Sequence, residues 1–494
     1  MEYWLGIDCG GTFIKAGLYD RDGNECGIAR QNLAIISPQP GWAERDMTVL
    51  WQAMSAVIRQ LLARHTIPPS SIQGVGISAQ GKGLFLLDKK GEPLGNAILS
   101  SDQRALSLVK QWQRDGIPQM LYPITRQTLW TGHPVSLLRW LKEHQPGRYE
   151  QIGSILMAHD YLRYCLTDQL GCEETNISES NLYPMAEGGY QPALAQLLGI
   201  PEVMAALPPI VGSAQIVGTI TQAAANATGL PVGLPVVGGL FDVVSTALCA
   251  GLKDESRLNA VMGTWSVTSG ITDQLKADVE YPFVYGRYAE AGKYIVHEAS
   301  PTSAANLEWF THQWFGAEGG KTDYQQLNQW VAQLPKAGSQ LLFVPFLYGS
   351  NAGLGMCAGF YGMQSFHQRQ HLVQAIYEGV VFSHMTHLNR MLKRFSAVSA
   401  LRITGGPAQS LQWMQMFADI SGLPVELPQV EETGCLGASL AAMVGTGRFV
   451  DFSDAQQALT PQLHTLQPDQ HARQAYQEKY LRYQALITAL GTLQ

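Results

Sequence analysis

Residues 4–20, WLGIDCGGTFIKAGLYD, run from an apolar stretch through an acid and a corner of small residues into a second apolar stretch. Such a pattern predicts two strands folded back on one another. Aspartate is a poor strand former, and paired glycines lose much backbone freedom on folding, so Asp8, Gly10 and Gly11 need a local compensation. A strand, a Gly-Thr corner and another strand return in SRLNAVMGTWSVTSGI, residues 256–271. This likeness, about half a chain away, suggests an internal duplication. The chain has 494 residues, more than one core usually supports, so two domains with a ligand cleft between them are expected.

Around the first corner, NECGIARQNLAI after the DRDGN turn predicts a third strand. MTVLWQAMSAVIRQLLARH has apolar residues at helical spacing with acids just ahead of it, and IQGVGISAQGKGLFLLD returns to strands. This is the opening of an α/β layer whose corners face one way. The expected division is 1–250, 251–450 and a helical tail from 451 to 494. The apolar stretch PVGLPVVGGLFDVVSTALCAG, 231–251, contains two prolines, several glycines and Asp242. It reads as a buried strand and the start of a helix rather than a membrane span.

The formal net charge is −7, only 15% of residues are charged, and there is no basic block, which argues against a nucleic-acid surface. Seven scattered cysteines without a Cys-x-x-Cys pair suggest neither a disulfide framework nor a zinc site, and favour a reducing compartment. The first residues carry no pattern of a signal peptide, so a cytoplasmic protein without a membrane partner is expected.

Glycine corners at strand ends leave backbone N–H groups open to phosphate oxygens. A carboxylate beside one repels phosphate unless a cation intervenes, so Asp8 suits a ligand, direct or through water, to nucleotide-borne Mg²⁺. Thr12 adds a hydroxyl and Lys15 a charge, although the stretch also reads as a hairpin turn with an Asx-type cap and a solvated lysine. Gly263 and Thr264 could hold another phosphate. LRITGGPAQSLQWMQMFADISG, 401–422, is a strand, a Gly405-Gly406 corner and a helix, suited to ribose and base or simply a strand-to-helix turn. Neither a Walker A loop nor a Gly-x-Gly-x-x-Gly fingerprint is present. Asp242 could accept the proton of a hydroxyl attacking a γ-phosphate, and it could equally be a helix N-cap.

GIDCGGTFIKAGLYD, GLFDVVSTA, MGTWSVTSG and TGGPAQS with WMQMFADISG resemble the FGGY carbohydrate kinases. AGFYGMQSFHQRQHLVQAIYE, 358–378, is similar to that family's C-terminal signature from Ala358 through Gly362, His371 and Ala375 to Glu378. Two features depart: Gly11 stands where the family's first corner has threonine, and Leu137 stands where the N-terminal signature has lysine.

The resemblance implies two duplicated actin-like ATPase (ribonuclease H-like) α/β domains with a cleft between them. It also implies transfer of the γ-phosphate of ATP, with Mg²⁺, to a primary hydroxyl of a ketose or keto sugar acid. In that scheme Asp242 is the general base and Asp8 positions the metal. Gly10, Gly11, Thr12, Lys15, Gly263 and Thr264 hold phosphates. Gly405, Gly406 and Ser410 border the adenosine, with Ala304 near it through backbone alone. The sugar candidates are Gln80, Gly81, Lys82, Asp102, Arg104, Trp130 and His133. Lys82 sits where related kinases carry an imidazole, and its ammonium could bind a substrate carboxylate. A homodimer is admitted. The rival classes are an actin-like ATPase that switches a partner and a sugar-binding regulator, the latter lacking here any DNA-binding extension.

Overall fold

A computed structural model describes residues 1–263, 265–276, 282–314, 323–352 and 356–492. It divides into two compact units, the first of Met1–Gly251, Thr272–Val296 and Glu432–Thr460, the second of Leu252–Ile271, His297–Glu431 and Pro461–Gln494. Of the two later segments that join the first unit, Glu432–Thr460 brings the helix Thr433–Gly445 that covers its sheet, and Thr272–Val296 is tied to it by hydrogen bonds from the Tyr285 N–H to the Arg126 carbonyl and from the Arg287 N–H to Ser178 Oγ. No helix among the described residues is long and apolar enough to cross a membrane.

The first unit is built on a mixed sheet. Its strands are β1 (Tyr3–Cys9), β2 (Phe13–Asp20), β3 (Glu25–Asn32), β4 (Ile72–Ala79), β5 (Ile216–Thr219), β6 (Pro235–Val237) and β7 (Leu240–Phe241). Antiparallel β1, β2 and β3 form the expected meander, and β1 runs parallel to β4. Both β6 and β7 pair parallel with β4, and β5 closes the far edge antiparallel to β6. The helix Met47–His65 takes Asp46 as its cap, accepting from the Val49 N–H, so the acid ahead of the apolar stripe starts the helix. Stretch 231–251 becomes β6, β7 and the helix Asp242–Cys249.

The helix Thr433–Gly445 lies directly on the sheet backbone. A side chain at Gly6 would sit 1.8 Å from the Cys435 carbonyl oxygen, and one at Gly76 would sit 2.0 Å from that of Ala438. Only glycine permits so close an approach.

In the second unit, β8 (Arg257–Met262) pairs antiparallel with β9 (Ser266–Thr272) and parallel with β10 (Ala400–Thr404). Next come β11 (Val425–Pro428), parallel to β10, and β12 (Leu463–Leu466), antiparallel to β11. From the hairpin outward, β2-β1-β4-β6-β5 and β9-β8-β10-β11-β12 follow the same order and directions, the duplication read from the sequence. The tail expected to be helical is only partly so. Between the helices Phe452–Ala458 and Gln470–Gly491 it supplies β12, whose backbone satisfies the open side of β11.

Candidate active site

Three neighbouring strands of the first unit end together. Asp8 is opposite Ser78, which is opposite Leu240; one step on, Cys9, Ala79 and Phe241 are aligned. The chain then leaves the sheet at Gly10, Gln80 and Asp242, so parallel registry collects residues far apart in sequence at one edge. Asp242 is the first helical residue, and the cap position is Phe241, whose side chain caps nothing. The alternative of a mere capping aspartate is thus not what the fold uses.

The residue before Asp242 is anchored. The Phe241 N–H donates to Thr175 Oγ1 at 2.9 Å, and that hydroxyl donates to the buried Glu173 at 2.7 Å. Desolvation, and then the charge of Asp8, push the Asp242 carboxyl up to about 8, while Lys82 pulls it down. Desolvation also pushes Asp8 up to about 6, opposed by Lys15 and reinforced by Glu432. A carboxyl raised in this way can exchange a proton near neutral pH.

Around Asp8 the corner is held from behind. Arg45 is buried and donates to the Gly11 carbonyl at 2.5 Å and to that of Gly10 at 3.4 Å. Gly10 N–H closes onto the Phe13 carbonyl at 3.0 Å, leaving Gly11 and Thr12 exposed. Lys15, opposite Asp8 in the ladder, is bound to Glu432 at 2.5 Å rather than left solvated. Gly434 completes the floor, because a side chain there would lie 2.3 Å from Asp8 Cγ. The 433–445 helix therefore starts against the Asp8 carboxylate, where its N-terminal dipole favours negative charge.

On the other side, Gln80, Gly81 and Lys82 lead away from β4. Gly81 is required by the Phe241 ring, which a side chain there would meet at 2.4 Å. Lys82 has a left-handed φ of 62°, and its N–H donates to Asn176 Oδ1 at 3.1 Å. Its ammonium is bound to Glu179 at 2.5 Å and lies 5.5 Å from the Phe241 ring centre. His133 is buried, its Nδ1 accepting from the Trp130 N–H at 3.0 Å. Burial, and then Lys82, hold its pKa down at about 3, so the ring is neutral. Trp130 is 38% exposed and donates to the Ser100 carbonyl at 2.9 Å.

Asp102 does not open toward this group. It is fully buried, with one oxygen accepting from Arg104 Nε at 2.9 Å and the other from the Ala43 N–H at 2.7 Å. Arg104 also reaches Glu44 at 2.6 Å and stacks 3.8 Å from the Trp42 ring centre. The pair ties the loop to Ala43 and Glu44, and removing either partner would leave a buried charge unmatched.

In the second unit, Gly405 has a φ of 103°, and a side chain there would be 2.3 Å from the Met262 carbonyl oxygen. It seals the ends of β8 and β10 together. Gly406 meets nothing within 4 Å. Ser410 is a helix cap instead of an open hydroxyl, accepting from the Trp413 N–H and donating to Asn328. Ala304 precedes the helix Ala305–Trp314, beside a recess of about 330 Å³ lined by Glu308, Trp309 and Tyr348. Gly263 N–H donates to the Trp265 carbonyl at 3.2 Å, and Thr264 lies outside the described residues. His384 bridges Ser266 and Ser303, each at 2.9 Å.

Sequence reasoning missed Arg45, Glu432, Gly434, Asn176, Glu179 and His384. Glu179 lies within NISESNLY as a lone acid in uncharged surroundings, which was the available signal for it, whereas Arg45 stands between Glu44 and Asp46 and carried no such mark.

Comparison with known proteins gives the family. Residues 3–249 match the N-terminal domain, and 258–446 the C-terminal domain, of the FGGY family of carbohydrate kinases. The chain is 66% identical to the L-xylulose/3-keto-L-gulonate kinase of Escherichia coli (strain K12), over 99% of this chain and 97% of that protein. It is 62% identical to the probable L-xylulose kinase of Pasteurella multocida (strain Pm70), over the whole of both chains. The fold is similar to that of ligand-bound xylulose kinase from Lactobacillus acidophilus, with TM-score 0.90 and 22% identity over 99% of this chain and 98% of that one. Two matching domains on an actin-like fold, with acids at the strand ends of the first, make this chain a member of the FGGY family of carbohydrate kinases.

Proposed function

We propose that the protein transfers the γ-phosphate of ATP to a primary hydroxyl of L-xylulose or 3-keto-L-gulonate. The observation that carries this reading is the pair of acids at the ends of β1 and β7, the two strands that flank β4, with Asp242 pushed up to about 8. The relatives named for these substrates support the choice of acceptor. Asp242 takes the proton of the acceptor hydroxyl as its oxygen bonds to the γ-phosphorus, and the bond from phosphorus to the bridging oxygen breaks to release ADP.

Mg²⁺ fits the residues present. The donor set is a single carboxylate beside an open corner, which suits an ion that would be carried by the phosphates of a nucleotide. Asp8 is the carboxylate that would meet it, and its raised pKa is the cost a nearby dication relieves. Within the first unit, Gly11 and Thr12 offer an exposed corner to phosphate. Gln80, Lys82, Trp130 and His133 face the acceptor. The need for ATP favours the cytoplasm, and the reading requires neither nucleic acid nor membrane.

A coupled ADP-release assay tests this with Mg-ATP and L-xylulose, 3-keto-L-gulonate, D-xylulose and L-ribulose. ADP release strictly dependent on one of the first two is expected. Hydrolysis indifferent to sugar would overturn the reading and fit an ATPase switch.

A further inference from the structure

Lys82 is the cation of the group proposed to face the acceptor, and its charge is already matched. Its Nζ lies 2.5 Å from Glu179 Oε2; Glu179 is fully buried, while Lys82 keeps 17% side-chain exposure. The backbone is pinned by Asn176, and the ammonium lies against the Phe241 ring, so the pair is held at both ends. Two further groups proposed to face the acceptor are neutral donors. His133 is 1% exposed, its Nδ1 is occupied by the Trp130 N–H, and its Nε2 has no partner among the described residues. The proton is therefore on Nε2. Gln80 Nε2 is likewise buried without a partner. Such N–H groups suit hydroxyl and keto oxygens, and leaving them unpaired is costly. An incoming carboxylate would have to share an ammonium with Glu179 while standing near Asp242, whose charge the same pair influences.

We infer that Glu179, by holding the Lys82 ammonium, withholds it from the carboxylate of a sugar acid and so favours neutral ketoses, with Glu179 as the specificity-determining residue. The inference rests on the proposal that a sugar hydroxyl is phosphorylated beside Asp242, and it reverses the expectation that Lys82 itself recognises a carboxylate.

The test is kcat/KM for L-xylulose and for 3-keto-L-gulonate in the wild type, Glu179→Gln and the double variant Lys82→Met/Glu179→Gln. The wild type should favour the neutral pentulose. Glu179→Gln frees the ammonium and should raise the keto acid relative to the pentulose about tenfold, a gain that added salt removes. The double variant, with both charges gone, should return the ratio to within about threefold of the wild type. A wild type that favours the keto acid and loses that preference in the double variant overturns the inference, as does an unchanged ratio in Glu179→Gln. If Glu179→Gln fails to fold, the salt dependence of the wild type decides: kcat/KM for the keto acid should respond to added salt no more than that for the pentulose, and a loss confined to the keto acid would show that the ammonium reads the carboxylate and overturn the inference. Absence of ketose-dependent ADP release in the wild type would overturn the kinase reading and this inference with it; phosphorylation of both sugars without preference would overturn the inference alone.

Discussion

In the first unit, β1 carries Asp8 next to its end and β7 runs straight into Asp242; in the second, β8 ends on Met262 and β10 on Thr404, followed by Gly263 and Gly405. The two sheets share strand order, so the difference lies in what the duplicated corners present. The first presents carboxylates, backed by a helix N-terminus and an arginine. The second presents glycine backbone, with side chains turned to internal bracing such as His384 and Ser410. Duplication therefore supplied two similar corners that differ in charge, and the proposed reaction would give them different work: proton and metal chemistry to the first, nucleotide contact to the second.

The largest effect should come from the acid that has no counterpart in the second unit. Asp242→Asn should lower kcat by about 10²–10⁴-fold with nucleotide affinity unchanged, measured by steady-state kinetics and calorimetry. It should also raise Tm at pH 8. The folded-state pKa of about 8 lies above the unfolded value, so the carboxylate loses stability for the fold as pH rises between the two, and asparagine removes that loss. Activity close to wild type would break the comparison at its centre.

Arg45→Ala should cost about 10–100-fold in kcat/KM for Mg-ATP, since two carbonyls of the first corner lose a charged donor. An equal loss on Gly405→Ala, which crowds the Met262 carbonyl, would show that both corners grip the nucleotide alike.

A smaller change is expected in pH dependence. The base must be ionised, so kcat/KM should fall as pH drops through the Asp242 pKa. Lys82→Met, which removes a charge pulling that pKa down, should move the falling limb to higher pH. A shift the other way would mean that Lys82 does not act on Asp242.

The smallest effect belongs to the second unit. His384→Phe breaks the Ser266 and Ser303 bridges and should raise KM for ATP about three- to tenfold with kcat little altered, and His384→Gln should recover part of the loss. A fall in kcat alone would give the second corner a chemical part that the comparison denies it.

The strand meander, the helix after Asp46, the repeat of the corner and the candidacy of Asp8 and Asp242 were legible because each is local. Alternation, capping and glycine corners are short-range properties that a few residues impose on their own backbone. Parallel registry then carries Asp8 and Asp242 to one edge, which only the pairing of β1 and β7 with β4 decides. The helical tail was misjudged at Leu463–Leu466, where pairing with β11 prevails over local preference. The partners of the site were hidden for a different reason. Lys15 meets Glu432, Asp8 meets Gly434, Lys82 meets Glu179 and Gly11 meets Arg45, across separations from about thirty to more than four hundred residues. Neither Asp102 nor Ser410 announced that its hydrogen-bonding capacity would be taken up inside its own unit. The amino-acid sequence by itself determined which groups could ionise and where the chain would turn; the tertiary structure decided which of those charges were neutralised, because Coulomb interaction and desolvation depend on distance through space and on the exclusion of water.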